Sequence, residues 1–249
     1  REANGGGFQG PGERIFYGTL AGGSRRQEDA TLMNPPSGTG IRIVGLLGGV
    51  GSGKSTAAGI LAELLPGRLL DADAEVGRML ENPEIGAQVE ESLGPGLLNA
   101  EGEVDRRALG EIVFHDPDKR KALEELLHPL VRESLRNRLA ELEESGGDWA
   151  VLDVPLLLEG GLSEACDFMV FVDAPADDRR RWACTRHGWE ASDWEAREFA
   201  QAGLDNKQAA ADAILGNVGT LEDLKAGVEG LLARLRELPP RPLRDRWPR

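Results

Sequence analysis

The stretch that decides the fold is Gly48-Gly49-Val50-Gly51-Ser52-Gly53-Lys54-Ser55-Thr56. It satisfies the pattern G-x-x-x-x-G-K-[ST] and lies between an apolar run at 41–47, typical of a buried strand, and a helical pattern near 55–65. Glycines let the backbone wrap closely around a phosphate with several N–H groups directed inward, and the following helix begins at its positive dipole end. The motif therefore predicts a phosphate-binding loop (P-loop) that holds a nucleoside triphosphate through residues 49–56.

Two side chains of this loop carry chemistry of their own. Lys54 is expected to place its ammonium group against the β- and γ-phosphates, and the Ser55 hydroxyl to ligate Mg²⁺. Asp153, at the end of another apolar run, resembles an acid that holds Mg²⁺ through water, although a strand-terminal Asp can equally cap a helix or turn. The expected small molecules are ATP, as substrate, and Mg²⁺.

Strand-like and helix-like segments alternate on either side of the loop. Continuous apolar runs occur at 41–47, 68–71, 150–153, 168–173 and 213–215. Continuous rather than alternating runs favour a parallel sheet covered on both faces, and the helices between them predict a doubly wound, five-stranded P-loop α/β domain. The stretch between the second and third runs reads as wholly helical, with Pro129 as a break or kink. This helical insertion should overhang the carboxyl ends of the strands, where α/β proteins bind ligands.

Composition narrows the class of partner. The chain has 249 residues and a formal net charge of −14, so it repels polyanions, and we expect no nucleic-acid partner. No apolar run approaches the roughly 18 residues typical of a transmembrane helix, so we expect no membrane span. Cys166 and Cys184 are the only cysteines, too few for a disulfide framework or a four-thiolate zinc site. A cytoplasmic location is the expectation.

The two ends of the sequence differ from its middle. Residues 1–40 hold ten glycines and three prolines, and the first methionine is Met33. Such a segment has too little apolar surface to offset its ordering entropy, so we predict a flexible extension. Residues 238–249 form a Pro/Arg-rich tail with a PxxP match, which is more typical of a disordered terminus than of an SH3 ligand. The folded domain is predicted at 41–237.

Several kinds of protein contain a P-loop. A GTPase would need N-K-x-D, and the nearest match, Asn206-Lys207-Gln208-Ala209, lacks the acid. A small-molecule kinase needs an acceptor region, an acid near the acceptor hydroxyl, and arginines that close over the phosphates. The acid is predicted in Asp71-Ala72-Asp73, since the second strand should neighbour the strand that leads into the P-loop. Asp73 could instead cap the next helix. The arginines are Arg179–Arg181 and Arg186.

Further elements occur in order along the chain: Asp71-Ala72-Asp73, Leu127-His128-Pro129-Leu130 and Pro155-Leu156-Leu157-Leu158-Glu159. Together with an extended P-loop at 45–56, they resemble the dephospho-CoA kinase family over 41–235. A P-loop alone is widespread, whereas this combination is far more specific. The alternatives left open are a P-loop kinase of another small acceptor, such as a nucleoside monophosphate or a sugar acid, and a non-enzymatic nucleotide-binding regulator.

The resemblance implies a molecule of three parts: a nucleotide-binding core, a helical acceptor-binding part at about 74–147, and a lid at about 176–201. It implies transfer of phosphate from ATP to the ribose 3′-hydroxyl of dephospho-CoA. Asp73 would position or deprotonate that hydroxyl, Asn217 would line the adenine pocket, and the lid arginines Arg181 and Arg186 would contact the phosphates. The implied partners are these two small molecules, and we expect a monomer or weak homo-oligomer.

We predict that the N-terminal extension is dispensable. A chain beginning at Met33 should match the full chain in melting temperature and in turnover, because the removed residues have little apolar surface to bury. Thermal denaturation and a steady-state kinase assay on both chains would check this. A large loss in either quantity would show that residues before Met33 contribute to the fold or to the site.

Overall fold

A computed structural model describes residues 16–17, 40–201 and 203–248. All five predicted strands form, and a two-residue strand precedes them: β1 Phe16–Tyr17, β2 Arg42–Gly48, β3 Arg68–Asp71, β4 Trp149–Asp153, β5 Phe168–Asp173 and β6 Ala213–Gly216. All pair in parallel, in the order β1-β6-β5-β2-β4-β3. The α/β class with a parallel sheet is confirmed.

The strand order corrects one prediction. β3 pairs with β4 and not with β2, which lies between β4 and β5. The burial of the strands accounts for this, because all five residues of β4 are buried whereas Arg68 and Leu69 of β3 are exposed, as suits an edge strand. The β3–β4 register places Asp71 directly opposite Asp153, so two acids end neighbouring strands at the same level.

Nine helices connect the strands in the described residues: α1 Lys54–Leu64, α2 Ala72–Met79, α3 Pro83–Leu93, α4 Arg106–His115, α5 Pro117–Glu144, α6 Ala176–His187, α7 Ala191–Phe199, α8 Leu204–Ala210 and α9 Leu221–Arg236. Short 3₁₀ turns occur at Leu162–Ala165 and Leu243–Asp245. None of the described helices combines the length and apolar character that crossing a bilayer requires.

The core has one layer of helices on each face of the sheet. Along β2, Val44 and Leu46 pack with α1 and α9, whereas Ile43 and Leu47 pack with α5 and α8. Because successive side chains of a strand point to opposite faces, both faces of β2 must be apolar. This explains why the strand runs are continuous rather than alternating.

The predicted insertion is mostly helical but not wholly so. Residues 94–105 form a loop with an antiparallel bridge between Leu98 and Val104. Gly94, Gly96 and Gly102 adopt φ of +106°, +91° and +81° there, which a helix does not allow. The helices around this loop share a small apolar core of their own, which is separate from the cores on the sheet: Leu80, Val89, Leu93, Leu97, Val104, Leu109 and Leu127.

Pro129 does not break its helix. α5 is continuous over its 28 residues, with Pro129 inside it, although proline supplies no N–H for the hydrogen bonds of the helix. Packing on both sides compensates, because Leu127 lies in the insertion's core while Leu135 and Leu139 are fully buried against the sheet. α5 is therefore the helix that fastens the insertion to the sheet.

The two ends of the chain differ from expectation where they are described. Phe16–Tyr17 pairs by its backbone with β6, which the prediction of a flexible extension did not anticipate. The prediction of a disordered C-terminus is wrong, since Arg241 bridges to Ile41 and Leu243 is buried in the core. The tail packs because it supplies Arg246, which forms an ion pair with the buried carboxylate of Asp167.

We predict that this ion pair stabilises the domain. The Arg246 side chain is 1% exposed, and it also donates to the backbone carbonyls of Ile41 and Arg241. Arg246→Ala should lower the free energy of unfolding by about 3 kcal/mol or more, because Asp167 loses its buried partner. Denaturant unfolding would measure it.

Arg241→Ala is the matched control. Arg241 also pairs with Asp167, at 3.3 Å, but its side chain is 47% exposed. Its loss should cost less than about 1 kcal/mol. Equal, small effects of the two substitutions would contradict the stabilising role given to the C-terminal segment.

Candidate active site

The P-loop connects β2 to α1 with a backbone that only glycine can follow. Gly51 and Gly53 adopt φ of +79° and +94°, in the left-handed region. A Cβ at Gly51 would collide with the backbone carbonyl of Arg179, and one at Gly53 with the side-chain amide of Asn217. The loop therefore needs glycine for its turns and also for the close approach of its neighbours.

Lys54 points back across the loop that it follows. Its Nζ donates to the carbonyls of Gly48 at 3.2 Å and Gly49 at 2.8 Å. The pKa of Lys54 is lowered to about 8, chiefly by burial; Asp153 and Glu198 act to raise it, whereas Lys207 and Arg179 add to the lowering. The group is still mostly charged at neutral pH, and an anion beside it would raise its pKa. Lys54 is thus a largely buried ammonium group at the P-loop, where the sequence predicts a phosphate.

Ser55 and Asp153 lie together beside Lys54. The buried carboxylate of Asp153 accepts a hydrogen bond from the Ser55 side chain. Burial raises the pKa of Asp153 and Asp71 adds to the rise, while the Ser55 hydrogen bond, Lys54 and Arg186 lower it. The structure thus brings together the two residues predicted for a metal, a hydroxyl and a carboxylate at the end of the P-loop.

The helix after β3 shows which acid is the cap. Asp71 accepts from the backbone N–H groups of Asp73 and Ala74, at 2.8 and 3.1 Å, and is the N-cap of α2. The alternative that Asp73 caps this helix is wrong. Desolvation raises the pKa of Asp73, as do Asp71 and Asp153, whereas Lys54 and His187 lower it. Its carboxylate therefore belongs to the electrostatic environment of Lys54.

The predicted lid arginines occupy different places. Arg186 lines a cavity of about 340 Å³ whose floor is the P-loop and whose wall includes Asn217. Arg181 is absent from that lining; its side chain is 65% exposed and pairs with Asp178 at 2.7 Å. Asn217 also supports the loop directly, because its amide donates to the Ser52 carbonyl at 2.9 Å.

The structure adds site residues that sequence reasoning missed. Glu198 and Trp194 of α7 both bind the backbone of Val50 in the P-loop. Glu198 also pairs with Arg179, whose side chain is buried. The arginine run at 179–181 predicts arginines near the site but does not show which of them is buried. Glu198 lies on a polar helix, where an acid gives no sequence signal of a role in the site.

Lys207 is a second buried cation near the site. It is 1% exposed, donates to Gln201 at 2.7 Å and lies 3.5 Å from a carboxylate oxygen of Glu159. The positive charge of Lys207 helps to lower the pKa of Lys54. These contacts connect the end of the lid region with the loop after β4. The contacts of Lys207 with Gln201 and Glu159 were not predicted from the sequence.

The fold and the site together define a P-loop small-molecule kinase. The defining features are a parallel sheet with this strand order, a P-loop after β2, acids at the ends of β3 and β4, and the arginine-bearing helices α6 and α7. The match to known families is more specific. The dephospho-CoA kinase family model matches residues 42–223, and the chain belongs to that family.

Individual relatives agree with this assignment. The chain is 40% identical over 193 residues to a dephospho-CoA kinase of Symbiobacterium thermophilum, covering 76% of this chain and 79% of the relative. It is 39% identical over 199 residues to that of Anaeromyxobacter dehalogenans, covering 79% and 93%.

Solved structures have the same fold. The protein TT1252 from Thermus thermophilus is similar with a TM-score of 0.64 and 36% identity, covering 79% of this chain and 98% of that one. A dephospho-CoA kinase from Campylobacter jejuni has a TM-score of 0.56 at 22% identity, covering 78% and 97%, which supports the fold alone.

We predict that Lys54→Ala nearly abolishes phosphoryl transfer and leaves the fold intact. The ammonium group neutralises charge that grows on the transferring phosphate, and such a contact is worth roughly 10²–10³ in rate. Steady-state kinetics with circular dichroism would measure both properties. Lys121→Ala, at an exposed lysine of α5 that pairs with Glu125, is the control and should match wild type. Near-normal turnover of folded Lys54→Ala would refute the P-loop assignment.

Proposed function

We propose that this protein transfers the γ-phosphoryl group of ATP to the ribose 3′-hydroxyl of dephospho-CoA, giving CoA and ADP, the last step of coenzyme A synthesis. One observation carries the proposal within the family. The carboxylate of Asp73 shares the electrostatic environment of Lys54 and Asp153, while the capping of its helix is done by Asp71. An acid without a capping role, beside the P-loop lysine, is the arrangement that phosphoryl transfer to a hydroxyl needs.

Asp73 acts in this proposal on the acceptor hydroxyl. A ribose hydroxyl is a weak nucleophile, so a carboxylate that accepts its proton or orients its lone pair speeds the attack. The raised pKa of Asp73 suits this role, since a base works best when its pKa approaches the working pH. The proton of the hydroxyl passes to the carboxylate as the new O–P bond forms and the bond to the ADP oxygen breaks.

Charge neutralisation belongs to the cations around the loop. Lys54 leaves the carbonyls of Gly48 and Gly49 to contact the phosphates of ATP. Of the two predicted lid arginines, Arg186 has the support of its place in the cavity lining, whereas Arg181 pairs with Asp178 on an exposed face. Because such transition states demand little covalent help, positioning and electrostatics supply most of the catalysis.

Mg²⁺ is part of the proposed reaction. The residues present fit this ion, because the Ser55 hydroxyl and the buried Asp153 carboxylate supply oxygen atoms, the type of ligand that Mg²⁺ prefers. Mg²⁺ commonly takes only one or two protein ligands besides substrate phosphates. When bound, the ion neutralises charge on the phosphate oxygens. Ser55 and Asp153 would hold it, the latter through water.

The remaining assignments are proposals about parts of the molecule. Helices α2–α5 form the acceptor-binding part, with an apolar core of their own as support, and α6–α7 form the lid, with their contacts to the P-loop as support. Asn217 lines the adenine pocket. A cytoplasmic location is in keeping with the free thiols of Cys166 and Cys184. The monomeric or weakly associating state stays a prediction.

We predict that Asp73→Asn lowers turnover of dephospho-CoA by at least about 10²-fold, because the amide cannot accept the proton. Affinity for ATP and the melting temperature should change little. Steady-state kinetics and ATP titration would measure these quantities. Turnover within a few-fold of wild type would exclude Asp73 as the base, and Asp71 would be the next candidate.

Asp118→Asn is a matched control for this substitution. Asp118 follows the N-cap Asp116 of α5 as Asp73 follows Asp71, and it is likewise exposed in the first helical turn. It should leave turnover unchanged. Running the assay with nucleoside monophosphates and gluconate beside dephospho-CoA tests the acceptor itself: preferred use of another acceptor, or of none, would overturn the proposed reaction.

A further inference from the structure

Helix α7 binds both backbone groups of one P-loop residue. The Val50 N–H donates to the Glu198 carboxylate at 2.8 Å, and the Val50 carbonyl accepts from the Trp194 indole N–H at 3.0 Å. P-loop N–H groups ordinarily face the phosphates of a nucleotide. In this structure a carboxylate that belongs to the chain itself occupies one of them.

The same carboxylate has a buried cation as its second partner. Arg179 of α6 has a side chain that is 5% exposed, and it forms an ion pair with Glu198. Its Nε is held by the Ala174 carbonyl at 3.1 Å, and its guanidinium lies against the Trp194 ring and so close to Gly49 that any side chain there would collide with it. Arg179 is thus fixed beside the P-loop, while Glu198 is 21% exposed at the other end of the pair.

A backbone N–H and a fixed guanidinium are together the donor set of a phosphoryl site. Both prefer an ionised oxygen acceptor, and arginine forms paired hydrogen bonds equally with carboxylate and phosphate. The Glu198 carboxylate satisfies these two donors as a phosphoryl oxygen would. It also lies near enough to Lys54 to raise that group's pKa, so it belongs to the charges that a triphosphate meets on entry.

A triphosphate and this carboxylate repel each other. Two anions that share one pair of donors in a partly desolvated site cannot both keep their contacts, because each loses the cation that offsets its charge. The carboxylate is the partner that can be displaced, because Glu198 is 21% exposed on a nine-residue helix, whereas the buried Arg179 guanidinium is also held by the Ala174 carbonyl.

We propose that Glu198 is an internal stand-in for phosphate: the Val50 N–H and Arg179 form a phosphoryl-binding site that Glu198 fills until a phosphoryl oxygen of the nucleoside triphosphate displaces it. The inference rests on the proposed function for the identity of that ligand. Arg179 then exchanges a carboxylate for a phosphate, and α7 loses one of its two hydrogen bonds to Val50 of the P-loop. The displacement lowers the apparent affinity for ATP by the cost of releasing Glu198.

The test is ATP binding to Glu198→Gln, measured by calorimetric titration without any acceptor. The amide still accepts from the Val50 N–H but carries no charge, so the competitor is weakened and Arg179 is released. We expect the Kd for Mg·ATP to fall by at least about fivefold, the lower end of typical site-to-site couplings. Glu195→Gln, at an exposed acid of the same helix, makes the same change of charge and should not alter the Kd. An unchanged or higher Kd in Glu198→Gln would overturn the proposal.

A double-mutant cycle with Arg179→Gln tests the exchange of partners. In wild type the loss of Arg179 removes both its contact with Glu198 and its contact with the phosphate, and these partly cancel in the Kd. In the Glu198→Gln background only the phosphate contact is lost, so the rise in Kd should be several-fold larger. Equal rises in the two backgrounds would overturn the role given to Arg179. Glu198→Ala, with melting temperatures for every variant, replaces Glu198→Gln in the cycle if that variant folds poorly.

These binding measurements separate the inference from the function on which it rests. If wild type fails to phosphorylate dephospho-CoA while Glu198→Gln still binds Mg·ATP more tightly, the proposed reaction is wrong and the displaced carboxylate stands. If wild type phosphorylates dephospho-CoA and the Kd of Glu198→Gln does not fall, the proposed reaction stands and the displacement of Glu198 is wrong.

Discussion

The structure depends on a glycine-rich loop whose shape is held largely by side chains of neighbouring elements. The P-loop turns through glycines with positive φ, which have the greatest conformational freedom in the unfolded chain and no side chains with which to pack. Its shape therefore comes from its neighbours. Asn217 after β6 holds the Ser52 carbonyl, and Trp194 and Glu198 of α7 hold Val50. Strand β2, buried at all seven positions, fixes where the loop begins.

The strand order decides which acids meet this loop. Because β4 lies between β3 and β2, Asp153 at its end contacts Ser55 of the P-loop, and Asp71 lies opposite Asp153 in the β3–β4 register. Asp71 is engaged in capping α2, whereas Asp73, two residues later, does not cap this helix and is the acid proposed for the chemistry. A β3 strand directly beside β2 would have removed Asp153 from its place between the two. In the proposed reaction, the separation of the acid that would hold the metal from the acid that would act on the acceptor is thus a consequence of the strand order.

Features that depend on one segment of the sequence were predicted correctly, whereas features that depend on contacts between distant segments were not. The strands and the P-loop could be predicted, because continuous apolar runs and a fixed motif are properties of single segments. The position of β3 could not, since it depends on comparing its exposed Arg68 with the burial of all of β4. Pro129 predicts a break, but packing of its helix against two apolar cores keeps the helix continuous. The composition of the tail predicts disorder, but the ion pair of Arg246 with Asp167 orders it. Glu198 gives no local signal, because its partner in the P-loop lies 148 residues away.

The charges of the site resolve an apparent conflict with the net charge of −14. A phosphate ligand needs local cations, and three lie close together here: Lys54, Arg179 and Lys207. Burial lowers the pKa of Lys54 most, and repulsion by Lys207 and Arg179 adds to the lowering. Acids balance each one: Asp153 faces Lys54, Glu159 faces Lys207 and Glu198 faces Arg179. Such pairing keeps buried cations from destabilising the protein before a nucleotide arrives. Of these acids, Glu198 also accepts from the Val50 N–H of the P-loop. The contacts that balance the charge of the free protein are therefore also the contacts that a triphosphate must displace.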